Sequence, residues 1–166
     1  MRKFLWSFGS LTILTSAGLC ESAYAATAIG SLGVTITIAK TCVVGTSTPV
    51  DFGLRTLLTS DIDADGALSV TCTTGTTYDI GLGAGTGSGA SVASRLMTGP
   101  LSATVTYQLY RNVARSLNWG ETVGTDTLAG TGSGAAQSIP VYGRVGAQTT
   151  PGPGTYNDTV TVTVTY

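Results

Sequence analysis

Near its C-terminal end the chain alternates threonine with an apolar residue without a break: Val160, Val162, Val164 and Tyr166 fall on one face, and Thr159, Thr161, Thr163 and Thr165 on the other. A second run, Leu32, Val34, Ile36 and Ile38 with Gly33, Thr35, Thr37 and Ala39 between them, does the same near the start. Strict period two describes a half-buried strand and excludes a helix, whose faces repeat every three to four residues. The strand at the C-terminal end is expected to have no following element of its own chain to cover its edge. An uncovered apolar edge invites another strand, so the pattern points to assembly by strand exchange and away from catalysis.

The first 25 residues read as a secretory signal. Arg2 and Lys3 begin it, an apolar stretch from Phe4 to Leu14 follows, and Ala23-Tyr24-Ala25 has the small-x-small form of a cleavage site. That apolar stretch is about half the ~20 residues a spanning helix needs. Leu19, bulky where a lipidation site wants a small residue, argues against a lipid on Cys20. The mature chain is then 166 − 25 = 141 residues, enough for one domain with a real core. Its charges are sparse: six basic residues (Lys40, Arg55, Arg95, Arg111, Arg115, Arg144) against eight acids, net −2. Such a chain offers no basic stripe for phosphates, so nucleic acid is not an expected partner. Threonine, glycine and valine are abundant, serine is frequent, and no sustained helical periodicity appears, which makes the fold class all-β.

With Cys20 in the leader, Cys42 and Cys72 remain, and two cysteines in an exported domain are most simply a disulfide; two separate buried thiols are the alternative. Closing a loop of this length corresponds to roughly 3.5–4 kcal/mol of chain entropy. Besides the two alternating runs, strands are expected at Val50 to Gly53, Ala67 to Thr73, Tyr78 to Gly83, Thr104 to Asn112, Ser138 to Val145 and Tyr156 to Tyr166. Gly- and Pro-rich turns separate them, as in a β-sandwich. Pro140, inside a strand-like run, should mark an edge or a bulge, because proline cannot donate to a ladder. The hexapeptide Gly-Thr-Gly-Ser-Gly-Ala occurs at Gly85 to Ala90 and again at Gly130 to Ala135. Neither copy opens a helix in a βαβ unit, so both read as sandwich loops and not as phosphate loops.

The sequence contains no histidine, which removes Ser-His-Asp, Cys-His and His-based metal sites together. Asp61, Asp63, Asp65 and Gly66 open like an EF-hand loop, with Leu68 at the apolar eighth position. The twelfth position, however, holds Cys72 instead of a bidentate Glu, and helical flanks are missing. A solvated turn is the favoured reading and a weak cation site the other. Asn157-Asp158-Thr159 matches a glycosylation acceptor with nothing else in support. Trp119 is either a structural aromatic beneath a loop or a sugar-stacking surface. No catalytic residue, metal site or cofactor emerges.

Taken in order, several segments resemble the spore coat protein U domain family, which contains subunits of archaic chaperone–usher pili. They are Cys42-Val43-Val44, Val50-Asp51-Phe52-Gly53, Leu68-Ser69-Val70-Thr71-Cys72, Tyr107-Gln108-Leu109-Tyr110-Arg111, Asn118-Trp119-Gly120, Val141-Tyr142-Gly143-Arg144 and Gly154-Thr155-Tyr156-Asn157-Asp158-Thr159-Val160-Thr161-Val162. The resemblance implies an immunoglobulin-like sandwich lacking one strand, completed by a donor strand from a neighbouring subunit. It divides the chain into a signal peptide (1–25), a donor strand (26–39) and a pilin-like sandwich domain (40–166). Leu32, Val34, Ile36 and Ile38 would be the inserted side chains, and Val160, Val162, Val164 and Tyr166 would line the acceptor groove.

The implied role is a structural subunit of an adhesive surface pilus, not an enzyme, exported to the periplasm and then displayed on the cell surface. The implied partners are further copies or sister pilins, a periplasmic chaperone and an outer-membrane usher. With one domain, a shaft or minor subunit fits better than a tip adhesin. The alternatives are a secreted spore or cell-surface coat protein and a small cation- or carbohydrate-binding module. Packing of Leu32 to Ile38 as the first strand of its own sandwich also stays open.

Overall fold

The computed structural model describes residues 24–45 and 47–166. The signal assigned to residues 1–25 therefore lies outside the described residues except for its last two positions. The chain divides into two units, Met1–Ile36 and Thr37–Tyr166. In the first, residues 24–36 carry no helix or strand and their side chains are exposed. Leu32, Val34 and Ile36 show 83–89% of their surface. The alternating run that suggests a strand here is not one: a strand needs a ladder partner, and among the described residues none is paired with it.

The second unit is all-β apart from a 3-10 turn at Pro100–Ser102. Its described strands are β1 (Cys42–Val44), β2 (Ile62–Cys72), β3 (Thr77–Leu82), β4 (Arg95–Thr98), β5 (Thr104–Tyr110), β6 (Leu128–Thr131), β7 (Ala136–Val145) and β8 (Val162–Thr165). All described pairings are antiparallel. They build a sheet of order β1-β2-β7-β5-β4 and a smaller one of order β6-β3-β8. Between the sheets lies one core, including Leu68, Val70, Ile80, Leu82, Leu109 and Val145. This is a sandwich whose second layer is two strands narrower than its first.

The long strands form at the expected runs, but β2 begins at Ile62, five residues before the expected start at Ala67. In β2 every second residue from Ile62 to Cys72 faces inward, and all of these are buried except the half-buried Ala64. The stretch Tyr156 to Tyr166 does not run as one strand. Asn157 bridges Thr98 on the outer side of β4, and the chain then crosses to the other sheet, where β8 pairs with β3. Val50 to Gly53 is not a strand either. Thr48 makes one bridge to Ala67, after which Val50 and Phe52 turn onto the inner face of the large sheet. Glycine makes this possible: a Cβ on Gly66 would stand 2.6 Å from the Thr48 carbonyl oxygen, and one on Gly143 2.5 Å from Val50 Cγ1. Both glycines sit mid-strand and mark a close approach of other chain.

Pro140 lies in β7, a central strand, and not on an edge strand. Its position is still physically permitted. Ala67 donates its N–H to Thr48, away from β7, so Ala67 and Pro140 form a non-hydrogen-bonded pair. The proline nitrogen thus faces the β5 side, where β5–β7 pairing covers only Tyr142 to Arg144.

Two ends of this unit are well separated in character. At the first, the disulfide pole, Cys42 and Cys72 are bonded and stand opposite each other in the ladder. Thr73 takes the Thr41 amide on its Oγ1 at 3.1 Å, donates its own amide to the Thr41 carbonyl at 2.9 Å, and bonds the Ala39 carbonyl at 3.4 Å. The turn at 73–76 packs on the second Gly-rich hexapeptide, with the Gly75 amide donating to the Gly132 carbonyl. At the other end, the loop pole, residues 53–60, 99–103 and 146–155 gather. Gln148 donates to the Leu58 carbonyl at 2.8 Å, the Gln148 side chain brackets Thr106, and Gly154 packs on Pro100.

Asp61, Asp63 and Asp65 do not form a solvated turn. They lead into β2 and continue on its outer face, where Arg144 on β7 and Arg115 meet them. Arg144 holds Asp63 with two bonds of 2.7 and 2.8 Å. The Arg144 hydrogen bond keeps the Asp63 carboxyl below its usual range. The EF-hand resemblance comes from alternation along a strand: every second residue faces the same side, and here that side carries two guanidinium groups.

The packing centre is polar as well as apolar. Trp119 is fully buried and its indole donates to the Ile80 carbonyl at 2.7 Å, so it is a core residue and not a sugar platform. Arg95, also fully buried, donates to the carbonyls of Gly83, Val92, Leu82 and Trp119 at 2.7–2.8 Å. One guanidinium on β4 thereby ties the large sheet to the end of β3 in the small one. Replacing it with methionine keeps much of the volume but strands these carbonyls without a donor. The expected cost of Arg95→Met is at least about 3 kcal/mol, read from the urea midpoint of the otherwise unchanged protein.

Candidate functional site

β8 forms one edge of the small sheet and β1 one edge of the large sheet. Among the described residues no strand pairs with the outer side of β8, and none with that of β1. Toward the loop pole an apolar groove of about 390 Å³ lies between the segment 47–52, which follows β1, and residues 156–162, which lead into β8. Val50 and Phe52 form one bank; Val160 and Val162 form the other. The floor is Leu68, Leu82, Leu109 and Val141, with Met97 and Tyr107 toward β4 and β5. Each bank has a local reason. Gly66 and Gly143 draw Val50 and Phe52 inward, and the Thr/Val alternation turns Val160 and Val162 toward the core.

Of the residues assigned to an acceptor groove from sequence, Val160 and Val162 line it. Val164 packs on the core farther along β8, opposite Ile80, and Tyr166 is half exposed beyond it. Val50, Phe52 and Met97, like the floor residues, are lining residues that the sequence reading does not assign. The period-two pattern of 159–166 is a local signal; the opposite bank comes from Val50 to Gly53, expected as a strand but unpaired beyond the bridge at Thr48. Ile38, at the root of the leading segment, is 75% exposed.

One polar group anchors the groove. Asp158, beside Val160, accepts the Tyr107 hydroxyl at 2.7 Å on Oδ2. Its Oδ1 accepts the Thr86 amide at 2.7 Å, the Thr86 hydroxyl at 2.8 Å and the Thr159 amide at 2.7 Å. The first Gly-rich hexapeptide, which contains Thr86, is thus a loop fastened to the groove bank. Burial pushes the Asp158 carboxyl up, but the bonds from Thr86, Tyr107 and Thr159 outweigh it and hold the group below its usual range. Burial, followed by the Asp158 bond, pushes the Tyr107 phenol far above its ordinary value. Tyr107 also packs edge-on against Phe52, with ring centroids 6.3 Å apart. A floor residue, a bank residue and the opposite bank are therefore joined through one tyrosine. Asp158 belongs to the sequon-like Asn157-Asp158-Thr159, whose side-chain chemistry is structural at its centre.

These contacts set a pH dependence with a definite sign. The Asp158 value is lower in the folded than in the unfolded chain, so its contribution is fully present above the unfolded value near ~3.9 and is lost as pH falls through the folded one. Asp158→Asn should be less stable than the parent at pH 7, and the difference should close between about pH 4 and the lower folded value. Urea midpoints of both proteins across that range test it; a difference independent of pH would remove the carboxylate from the explanation.

The chain matches the Spore Coat Protein U domain over residues 28–163. It is 35% identical over 180 aligned residues to Protein U of Myxococcus xanthus, with all of both chains covered. Its fold is similar to a chain in the crystal structure of the CsuC–CsuE chaperone–tip adhesion subunit pre-assembly complex from archaic chaperone–usher Csu pili of Acinetobacter baumannii. The TM-score is 0.58 at 20% identity, over 78% of this chain and 41% of that one. The open all-β sandwich, its ordered motifs and the match across most of its length agree: this chain belongs to the Spore Coat Protein U domain family.

Proposed function

We propose that this protein is a structural subunit of an adhesive surface filament, joined to its neighbours by donor-strand exchange. In this reading residues 26–39 of one copy enter the groove of the next, with Leu32, Val34, Ile36 and Ile38 seated between the two banks. The observation that carries it is the apolar groove beside an unpaired strand edge, in a chain that also holds an exposed, strictly alternating apolar segment. Seven residues from Leu32 to Ile38 span roughly 23 Å as a strand. Burying four such aliphatic side chains contributes about 6–12 kcal/mol in gross terms. Ladder bonds to the free edges add direction and register.

The anchoring of Ala39 and Thr41 on Thr73 favours donation to another copy over folding back. It fixes the root of the segment at the disulfide pole, whereas the groove opens toward the loop pole. An exported subunit with an open groove needs a temporary occupant, and a periplasmic chaperone strand supplies it here. An outer-membrane usher then exchanges that strand for the next subunit's leading segment at the cell surface. Similarity to a fold solved in a chaperone–subunit complex supports the chaperone step. The second reading, a coat layer assembled by the same insertion, is favoured by full-length likeness to Protein U.

Deleting residues 26–38 from the mature chain should abolish heat-resistant multimers on a gel. Adding a synthetic peptide of residues 26–39 to the truncated protein should raise its melting temperature. Multimers that persist after truncation would refute the donor assignment. Dependence of assembly on a co-expressed usher separates the filament from the coat.

A further inference from the structure

β7 is paired along its whole length on one side only. On the β2 side the ladder runs from Ala136 opposite Thr71 to Val145 opposite Ile62. On the β5 side it holds only Tyr142 to Arg144, opposite Tyr110 to Gln108. Beyond Tyr110 the chain leaves β7: the Arg111 amide turns to the Leu117 carbonyl, and Asn118 bridges Tyr110. From Ala136 to Val141 this central strand therefore has one open side, with which no strand pairs among the described residues.

The ladder pattern decides which groups face that opening. Ser69 and Ala67 direct their backbone groups to Gly45 and Thr48, on the far side of β2. Their partners Ser138 and Pro140, and Ala136 in the same alternation, then direct theirs away from β2, into the open side. All three residues are exposed. The opening thus presents the amides of Ala136 and Ser138 and three carbonyls, a template for an added strand. The leading segment suits such a template, because residues 26–39 hold no charge and no proline and their alternating apolar side chains are bare.

One residue spoils the match. Pro140 has no amide to give, and its ring occupies the place where an incoming carbonyl would sit. It also stands one ladder step from Tyr142, where β5 departs. The β2 ladder does not require a proline there, since its bonds on either side run through Ile139 and Val141. We infer that Pro140 is a guard that keeps the leading segment of another copy off the open half of β7 and so confines strand addition to the groove. Proline on an exposed edge is one of the ways in which sheets refuse a further strand. A subunit with two receptive edges would take two leading segments and branch, whereas one receptive edge gives a single open fibre. The inference rests on the donor-strand reading above and names a residue that restricts it.

The test uses the mature full-length protein with a large excess of a synthetic peptide of residues 26–39, counted per chain by native mass spectrometry. The parent should carry one peptide. Pro140→Thr and Pro140→Ala both restore the amide and should carry a second one, at several-fold higher occupancy than any second peptide on the parent. Adding Ser138→Pro to Pro140→Thr moves the block one ladder step along the same opening and should return the count to one. Without peptide, filaments of Pro140→Thr should branch under the electron microscope where those of the parent run single. One peptide per chain on both amide-bearing variants, two on the parent, or variants that do not fold would each overturn the guard and leave strand donation standing. No peptide on the parent removes strand donation, and the guard with it.

Discussion

A sandwich has to hide two kinds of surface, the apolar faces of its sheets and the unpaired amides and carbonyls along their edges. In this chain the stretch between the segment 47–52 and residues 156–162 leaves apolar surface unhidden, next to the unpaired edge of β8. The small sheet has three strands against five in the large one, so toward the loop pole part of the large sheet's inner face has no layer above it. Val50 and Phe52 cover some of it without forming a strand. What is left is an apolar slot with the unpaired edge of β8 beside it. Every functional statement about this protein follows from that mismatch between layers.

An open slot would collapse unless its walls were held from behind, and polar groups hold them. Arg95 meets its hydrogen-bonding needs with four backbone carbonyls, at the cost of a buried charge whose pKa is lowered by desolvation and raised in part by Asp158, Glu121 and Asp126. An apolar residue there could fill the space but could not fix the β3 end relative to β4. Tyr107 and Asp158 play the corresponding part on the groove side, linking floor and bank in a single bond. Directional bonds hold the slot's shape where its apolar walls do not pack against each other.

Much of this was legible in the sequence, and the limits have physical causes. Alternation marks β2, β5 and β7 because each has one face in the core and one outside. It fails for β1, β4 and β6, which are three or four residues long and too short to show a period. It misleads at Asp61-Asp63-Asp65, where the outward side of a strand imitates a calcium loop. Arg95 gave no warning: an isolated arginine among serine, alanine and leucine reads as surface, and its burial depends on carbonyls far away in sequence. One bank of the groove, Val160 and Val162, is announced by its own pattern. The other, Val50 and Phe52, is visible only through Gly66 and Gly143, mid-strand glycines on the strands it crosses.

The disulfide gives the leading segment a mechanical role. Residues immediately before Cys42 are tied to Thr73, and Cys42 is bonded to Cys72 at the end of β2, the strand that runs through the centre of the large sheet's ladder with β7. A pull on residues 26–39 is therefore delivered to the longest ladder in the molecule and not to an edge that could peel. If residues 26–39 seat in the groove of another copy, as proposed, the load on the receiving side would enter the edge of β8 as shear, where many hydrogen bonds must break together. A strand held rigidly at its root and loaded in shear along its length suits a fibre that has to resist tension. The disulfide Cys42–Cys72 stands beside this segment, where an unanchored strand would begin to unravel.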